Sequence, residues 1–145
     1  MSSIRRLNLP LLQRIAERLA DEMFPRRSRQ IGVYFVGRKK MTGLNERFLQ
    51  HEGPTDVITF HYGGDVVHGE VFICVPEAEK QAKEFRTTPQ MELVRYIVHG
   101  LLHLKGYDDR APEQQKKMKR AEDRWVRWTA HQFRCEKVWS RKPRG

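Results

Sequence analysis

His99 and His103 stand four residues apart in the stretch Val98-His99-Gly100-Leu101-Leu102-His103-Leu104-Lys105-Gly106-Tyr107-Asp108-Asp109. An α-helix repeats every ~3.6 residues, so positions i and i+4 share a face and both imidazoles can address one metal ion. Gly106 can leave the helix in a left-handed conformation and turn the chain back. That turn can bring Asp109 round as a third ligand. Two nitrogens and one carboxylate leave a fourth tetrahedral position open for water, the layout of a catalytic zinc site. Val94, Ile97, Val98, Leu101, Leu102 and Leu104 make the rest of the helix apolar. A buried helix has little reason to carry two imidazoles without partners for their nitrogens. Zinc proteases place a glutamate base directly after the first histidine; Gly100 stands there, and that mechanism loses its base.

The elements that must position this group follow from periodicity and punctuation. Pro10 opens a first helix with Leu12, Ile15, Ala16, Leu19 and Met23 on one stripe, closing near Pro25. Residues 31–36 alternate and are rich in β-formers, which predicts a strand. Residues 41–49 read as a short helix weakened by Gly43. Residues 57–60 and 70–75 read as strands, separated by a turn at Gly63-Gly64 and a short strand at 65–67. Pro76 starts a helix to about Phe85. Thr88 caps the metal helix, which runs from Pro89 to Lys105. A last helix spans about 112–133. The expected fold is α+β: a single domain with a small mixed sheet and about five helices, and the metal site at the C-terminal end of a central helix. It spans residues 1–139, with 140–145 as a disordered basic tail.

At 145 residues the chain is long enough for one domain with a sizeable core. No apolar run approaches the ~18 residues of a membrane span, and no apolar signal core follows the basic N-terminus. Cys74 and Cys135 form no Cys-x-x-Cys pair and read as reduced thiols of a cytoplasmic protein. The net charge is +10 and uneven: residues 116–145 hold eleven Lys or Arg, three acids and all three tryptophans. Cations among aromatics suit a polyanion with exposed bases. Met118, Ala121, Trp125 and Trp128 nevertheless sit at helical spacing, which is the mark of core residues.

The segment from His99 to Asp108 resembles the signature of the YbeY family, bacterial rRNA maturation factors described as zinc-dependent, single-strand-specific endoribonucleases. Leu44-Asn45, Phe48 and Pro54-Thr55-Asp56-Val57-Ile58-Thr59-Phe60 are similar to two further family segments, and Gly69-Glu70-Val71-Phe72-Ile73 to a family strand. The resemblance runs from about Ile31 to about Arg124. It implies zinc, one ion per chain, held by His99, His103 and Asp109. It implies an activity on single-stranded RNA in maturation of the small-subunit rRNA 3′ end and in ribosome quality control. The small ribosomal subunit is then a partner; DNA and membranes are not. Asp108 precedes the third ligand position and reads as a turn former or a support for the ligands.

Two departures accompany the resemblance. Asp109 stands where the family usually has a histidine, so the ion gains a negative ligand and its water becomes less acidic. Leu49 stands where the family often has an arginine; Arg47, two residues earlier, is a weak substitute. Glu70 and Asp56 are further candidates for acid–base work, and each has an equal structural reading. The alternative to an enzyme is a non-catalytic, zinc-containing assembly factor that binds rRNA. A zinc hydrolase of peptides or small molecules is disfavoured by Gly100 and the basic balance.

Overall fold

The structure is a computed structural model and describes residues 6–49 and 55–140. The chain runs α1 (Leu9–Met23), β1 (Arg29–Val36), α2 (Arg38–Leu44), β2 (Val57–His61), β3 (Val67–Cys74), α3 (Val75–Glu84), α4 (Pro89–Lys105) and α5 (Pro112–Gln132). The sheet is mixed, in the order β1-β3-β2. β1 lies parallel to β3 with Val33 opposite Val71; β2 lies antiparallel to β3 with Thr59 opposite Val71. Among the described residues this is the expected α+β fold, with five α-helices around a small sheet. Pro54 of the motif segment and residues 141–145 of the expected tail lie outside the described residues.

α4 is the central helix. It packs on β3 and β2 and is flanked by α1, α3 and α5. Leu93, Val94, Ile97, Val98, Leu101 and Leu102 are fully buried, so burial rather than helix propensity holds it. Two glycines let α4 approach the sheet. A Cβ at Gly100 would lie 2.4 Å from Val71 Cγ1, and one at Gly69 would lie 2.4 Å from Leu104 Cδ2. The position that carries the protease glutamate thus faces the sheet here, and no side chain fits.

Strand parity divides the sheet. Val67, Gly69, Val71 and Ile73 face α4; His68, Glu70 and Phe72 face away. A second apolar cluster, Met41, Ile58 and Cys74, lies beneath α2. The short strand expected at 65–67 is only the start of β3, since residues 64–66 form a bend. The helix expected at 41–49 begins earlier, at Arg38, and turns into a π-helix at Asn45–Leu49. After α5 a 3₁₀ turn at Cys135–Val138 was not expected. Its residues 135 and 138 are both buried, and i,i+3 side chains eclipse in that geometry. Trp139 is buried and bridges to Leu7, while Trp125 and Trp128 are half-buried against the core. All three tryptophans therefore serve packing.

Candidate metal centre

α4 begins at the Thr88 N-cap, whose hydroxyl accepts the Met91 N–H, and ends at Gly106. Gly106 has φ +111°, and its N–H bonds the His103 carbonyl. That left-handed residue costs a glycine little and reverses the chain. Asp108 shapes the return: Oδ1 accepts the N–H groups of Asp109 and Arg110 at 2.7 and 3.2 Å, and its carboxylate pairs with the Arg110 guanidinium. It is the turn former expected for that position.

The turn sets Asp109 against the two imidazoles. His99 Nε2 and His103 Nε2 are 3.1 Å apart, and Asp109 Oδ2 lies 3.8 and 3.6 Å from them. Two atoms each ~2.1 Å from a tetrahedral zinc are roughly 3.4 Å apart, so the spacing fits an ion of that size. The other ring nitrogens show why these atoms face inward. His99 Nδ1 lies 2.9 Å from Glu122 Oε2, and His103 Nδ1 lies 3.1 Å from the Tyr107 carbonyl. Both partners are acceptors, so both Nδ1 atoms carry the proton and both Nε2 atoms present lone pairs. Three lone-pair donors then converge with no proton among them, an arrangement a cation relieves. The residues fit a metal ion, and His99, His103 and Asp109 could hold one.

The electrostatics of the metal-free cluster differ between the two rings, and a metal ion must displace the proton that Glu122 favours on His99. Burial lowers the pKa of His99, but the hydrogen bond and charge of Glu122 raise it, and the net is upward. Burial and the charge of His99 lower that of His103. Burial alone would raise the pKa of Glu122; hydrogen bonds from His99 and Arg95 outweigh it and hold the carboxyl below its ordinary range. Arg95 Nη1 donates to both Glu122 Oε1 at 2.7 Å and Asp123 Oδ1 at 2.8 Å. An Arg–Glu–His chain therefore runs from Arg95 of α4 through Glu122 of α5 back to the first candidate ligand on α4, and such partners orient ligand rings.

The three residues open into a cleft of about 440 Å³, also lined by Asp56, Val57, Thr59 and His61 of β2 and its approach. Asp56 accepts the Val57 N–H at 2.8 Å, a strand-end role, and faces the cleft as well. Thr59 Oγ1 is buried there without a hydrogen-bond partner among the described residues. The structure does not bring Glu70 or Arg47 to this cleft. Glu70 lies on the far face of β3, where Tyr62 donates to it at 2.5 Å. Parity with the apolar Val67, Gly69, Val71 and Ile73 is the sequence signal for that. Arg47 stacks near Phe48 in a groove with Lys39 and Lys40. Leu49 is 42 % exposed at the end of the π-helix. Glu122 escaped notice in the sequence. Its signal is an acid beside buried Met118 and Ala121 on an apolar stripe, where a charge needs a partner.

Comparison with known proteins gives the family. A family model described as Endoribonuclease YbeY matches residues 4–129. An Endoribonuclease YbeY of Chlorobium luteolum is 39% identical over 102 residues, 70% of this chain and 74% of that protein. One of Thermotoga petrophila is 38% identical over 104 residues, 68% of this chain and 69% of that protein. The solution structure of TM1509 from Thermotoga maritima superposes with a TM-score of 0.67 at 29% identity, over 88% of this chain and 85% of that one. With the fold, the signature helix and the match over most of its length in agreement, the chain belongs to the YbeY endoribonuclease family.

Proposed function

We propose that this protein is a zinc-dependent, single-strand-specific endoribonuclease. It acts in the cytoplasm, in maturation of the small-subunit rRNA 3′ end and in ribosome quality control, with one zinc per chain. The observation that carries the reading is the convergence of His99 Nε2, His103 Nε2 and Asp109 Oδ2 in an open cleft. Relatives named endoribonucleases and a net charge of +10 support RNA as the substrate. Among the described residues, no helix is long and apolar enough to cross a membrane.

A bound zinc supplies a more acidic water and a Lewis acid for a phosphate oxygen. His99, His103 and Asp109 would hold it, and the Glu122 and Tyr107 acceptors would keep both rings in the right tautomer. Thr59 Oγ1 is free to hydrogen-bond a phosphate oxygen or a water. Asp56 is the carboxylate in the cleft that is not a ligand, and it can take a proton from the attacking water. Exposed lysines and arginines of α5 hold the flanking phosphates.

Leu49 favours a second reading, an rRNA-binding assembly factor without catalysis, because an apolar side chain stands where the family often has an arginine. One experiment separates the two. Highly purified protein and its His103→Ala variant, prepared in parallel, are incubated with single-stranded RNA, duplex RNA and a peptide. The nuclease cuts only the single strand, and the variant does not. Equal cutting by both proteins, or none by either, removes the nuclease reading.

A further inference from the structure

The turn between α3 and α4 walls a second cavity of about 610 Å³ that adjoins the metal cleft, since Asp56 and His99 line both. One feature of this cavity has no explanation in packing. Phe85 stands on its rim with 69 % of its surface exposed, more than any other large apolar side chain among the described residues. The residue after it, Arg86, has φ +54° as the left-handed residue of the cap that ends α3, where the Thr87 N–H bonds the Ala82 carbonyl at 3.0 Å. Within the cavity lies Glu92 of α4, only 8 % exposed and without a hydrogen bond among the described residues. Its neighbour Arg95 is committed to Glu122 and Asp123. The Glu92 oxygens open into the cavity, since Thr59 Oγ1 is the fully buried side-chain atom without a partner among the described residues, and a ligand in the cavity can donate hydrogen bonds to them.

We propose that this cavity is a nucleobase subsite for the nucleotide next to the cleaved bond, selecting guanine, with the base stacked on Phe85 and its N–H edge on the Glu92 carboxylate. The proposal rests on the reading of the protein as a nuclease of single-stranded RNA. An unpaired base offers a face for stacking and a free Watson–Crick edge for hydrogen bonding. Guanine presents two parallel donors, N1–H and the 2-amino group, that match two carboxylate oxygens. Adenine and cytosine offer an amino group alone. Uracil sets its single N–H between two carbonyls, which the carboxylate repels. The volume suits one nucleotide, and the shared wall at His99 puts its phosphate at the metal cleft.

The test uses the full chain loaded with zinc. Guanosine 5′-monophosphate and uridine 5′-monophosphate are titrated in by calorimetry and by amide chemical-shift mapping. Both carry the same phosphate, so attraction to the metal cancels in the comparison. The expected result is a preference for the guanine nucleotide of about tenfold, with shifts at residues 85–96. Glu92→Gln abolishes the preference, and Phe85→Ala weakens the binding of both nucleotides about tenfold. Neither variant loses zinc or changes the unfolding midpoint by much, because Gln matches Glu in shape and Phe85 is exposed. In a uridine strand carrying one guanosine, the cut lies beside the guanosine and moves with it. Equal affinity for the two nucleotides, shifts elsewhere, or an undiminished preference in Glu92→Gln overturns the subsite even if RNA is still cut. Glu92-dependent guanine preference in a protein that cuts no RNA upholds the subsite and removes the nuclease reading instead.

Discussion

His99 Nδ1 lies 2.9 Å from Glu122 Oε2, although Glu122 comes 23 positions later and on a different helix. The contact sets the tautomer of His99 and aims its Nε2 at His103 and Asp109. Glu122→Gln keeps the volume but replaces a charged acceptor with an amide. Partners of this kind change metal affinity by roughly 10- to 100-fold when replaced. The expected outcome is zinc lost to a chelator at a correspondingly lower concentration than in the wild type, with the fold retained. Unchanged zinc affinity would show that the Glu122 side chain does not tune the site.

One zinc per chain is expected by metal analysis. His103→Ala removes the imidazole whose Nε2 faces both His99 and Asp109, and the ion goes with it. Asp109→His restores the ligand usual in the resembled family and keeps it. Circular dichroism of each variant must accompany the measurement, since loss of a metal can unfold a site. A wild-type protein that stays metal-free in the presence of zinc refutes the ligand assignment.

Gly100→Ala tests the packing that brings α4 to the sheet. The added Cβ meets Val71 Cγ1 at 2.4 Å, and overpacking of this kind costs about 1–3 kcal/mol. Helix propensity returns up to about 1 kcal/mol. Urea denaturation is expected to show a net loss of stability that Val71→Ala partly relieves in the double variant. Additive losses in the double variant would mean that the two residues do not meet.

The exposed cations of α5 are expected to bind phosphates. Replacing Lys116, Lys117 and Arg120 with Gln should weaken binding of single-stranded RNA and flatten its salt dependence. The slope falls by about 0.7 for each phosphate that is no longer neutralised. Trp128→Leu should behave differently: it lowers the melting temperature, because the ring packs on the core and under Arg18, and leaves the salt slope unchanged. A slope unaltered by the charge replacements would rule out this face as the RNA surface.

The sequence by itself determined the parts of this protein that depend on local period. His99 and His103 share a face because a helix repeats every ~3.6 residues. Gly106 ends the helix because a glycine adopts φ +111° at little cost, and Asp109 returns because Asp108 closes the turn through its own neighbours. Even the orientation of Glu70, away from the metal cleft, follows from counting by twos along Val67, Gly69, Val71 and Ile73.

Only the tertiary structure decided which distant groups meet that cluster. Glu122 reaches His99 because α5 packs along α4, and Asp56 and Thr59 face the cleft because β2 pairs with β3 in one particular register. The cavity of Phe85 and Glu92 exists because α3 and α5 both pack on α4, which sets the α3–α4 turn across a gap from α5. The meetings with His99 join residues tens of positions apart, and side-chain packing between elements, not backbone period, selects them.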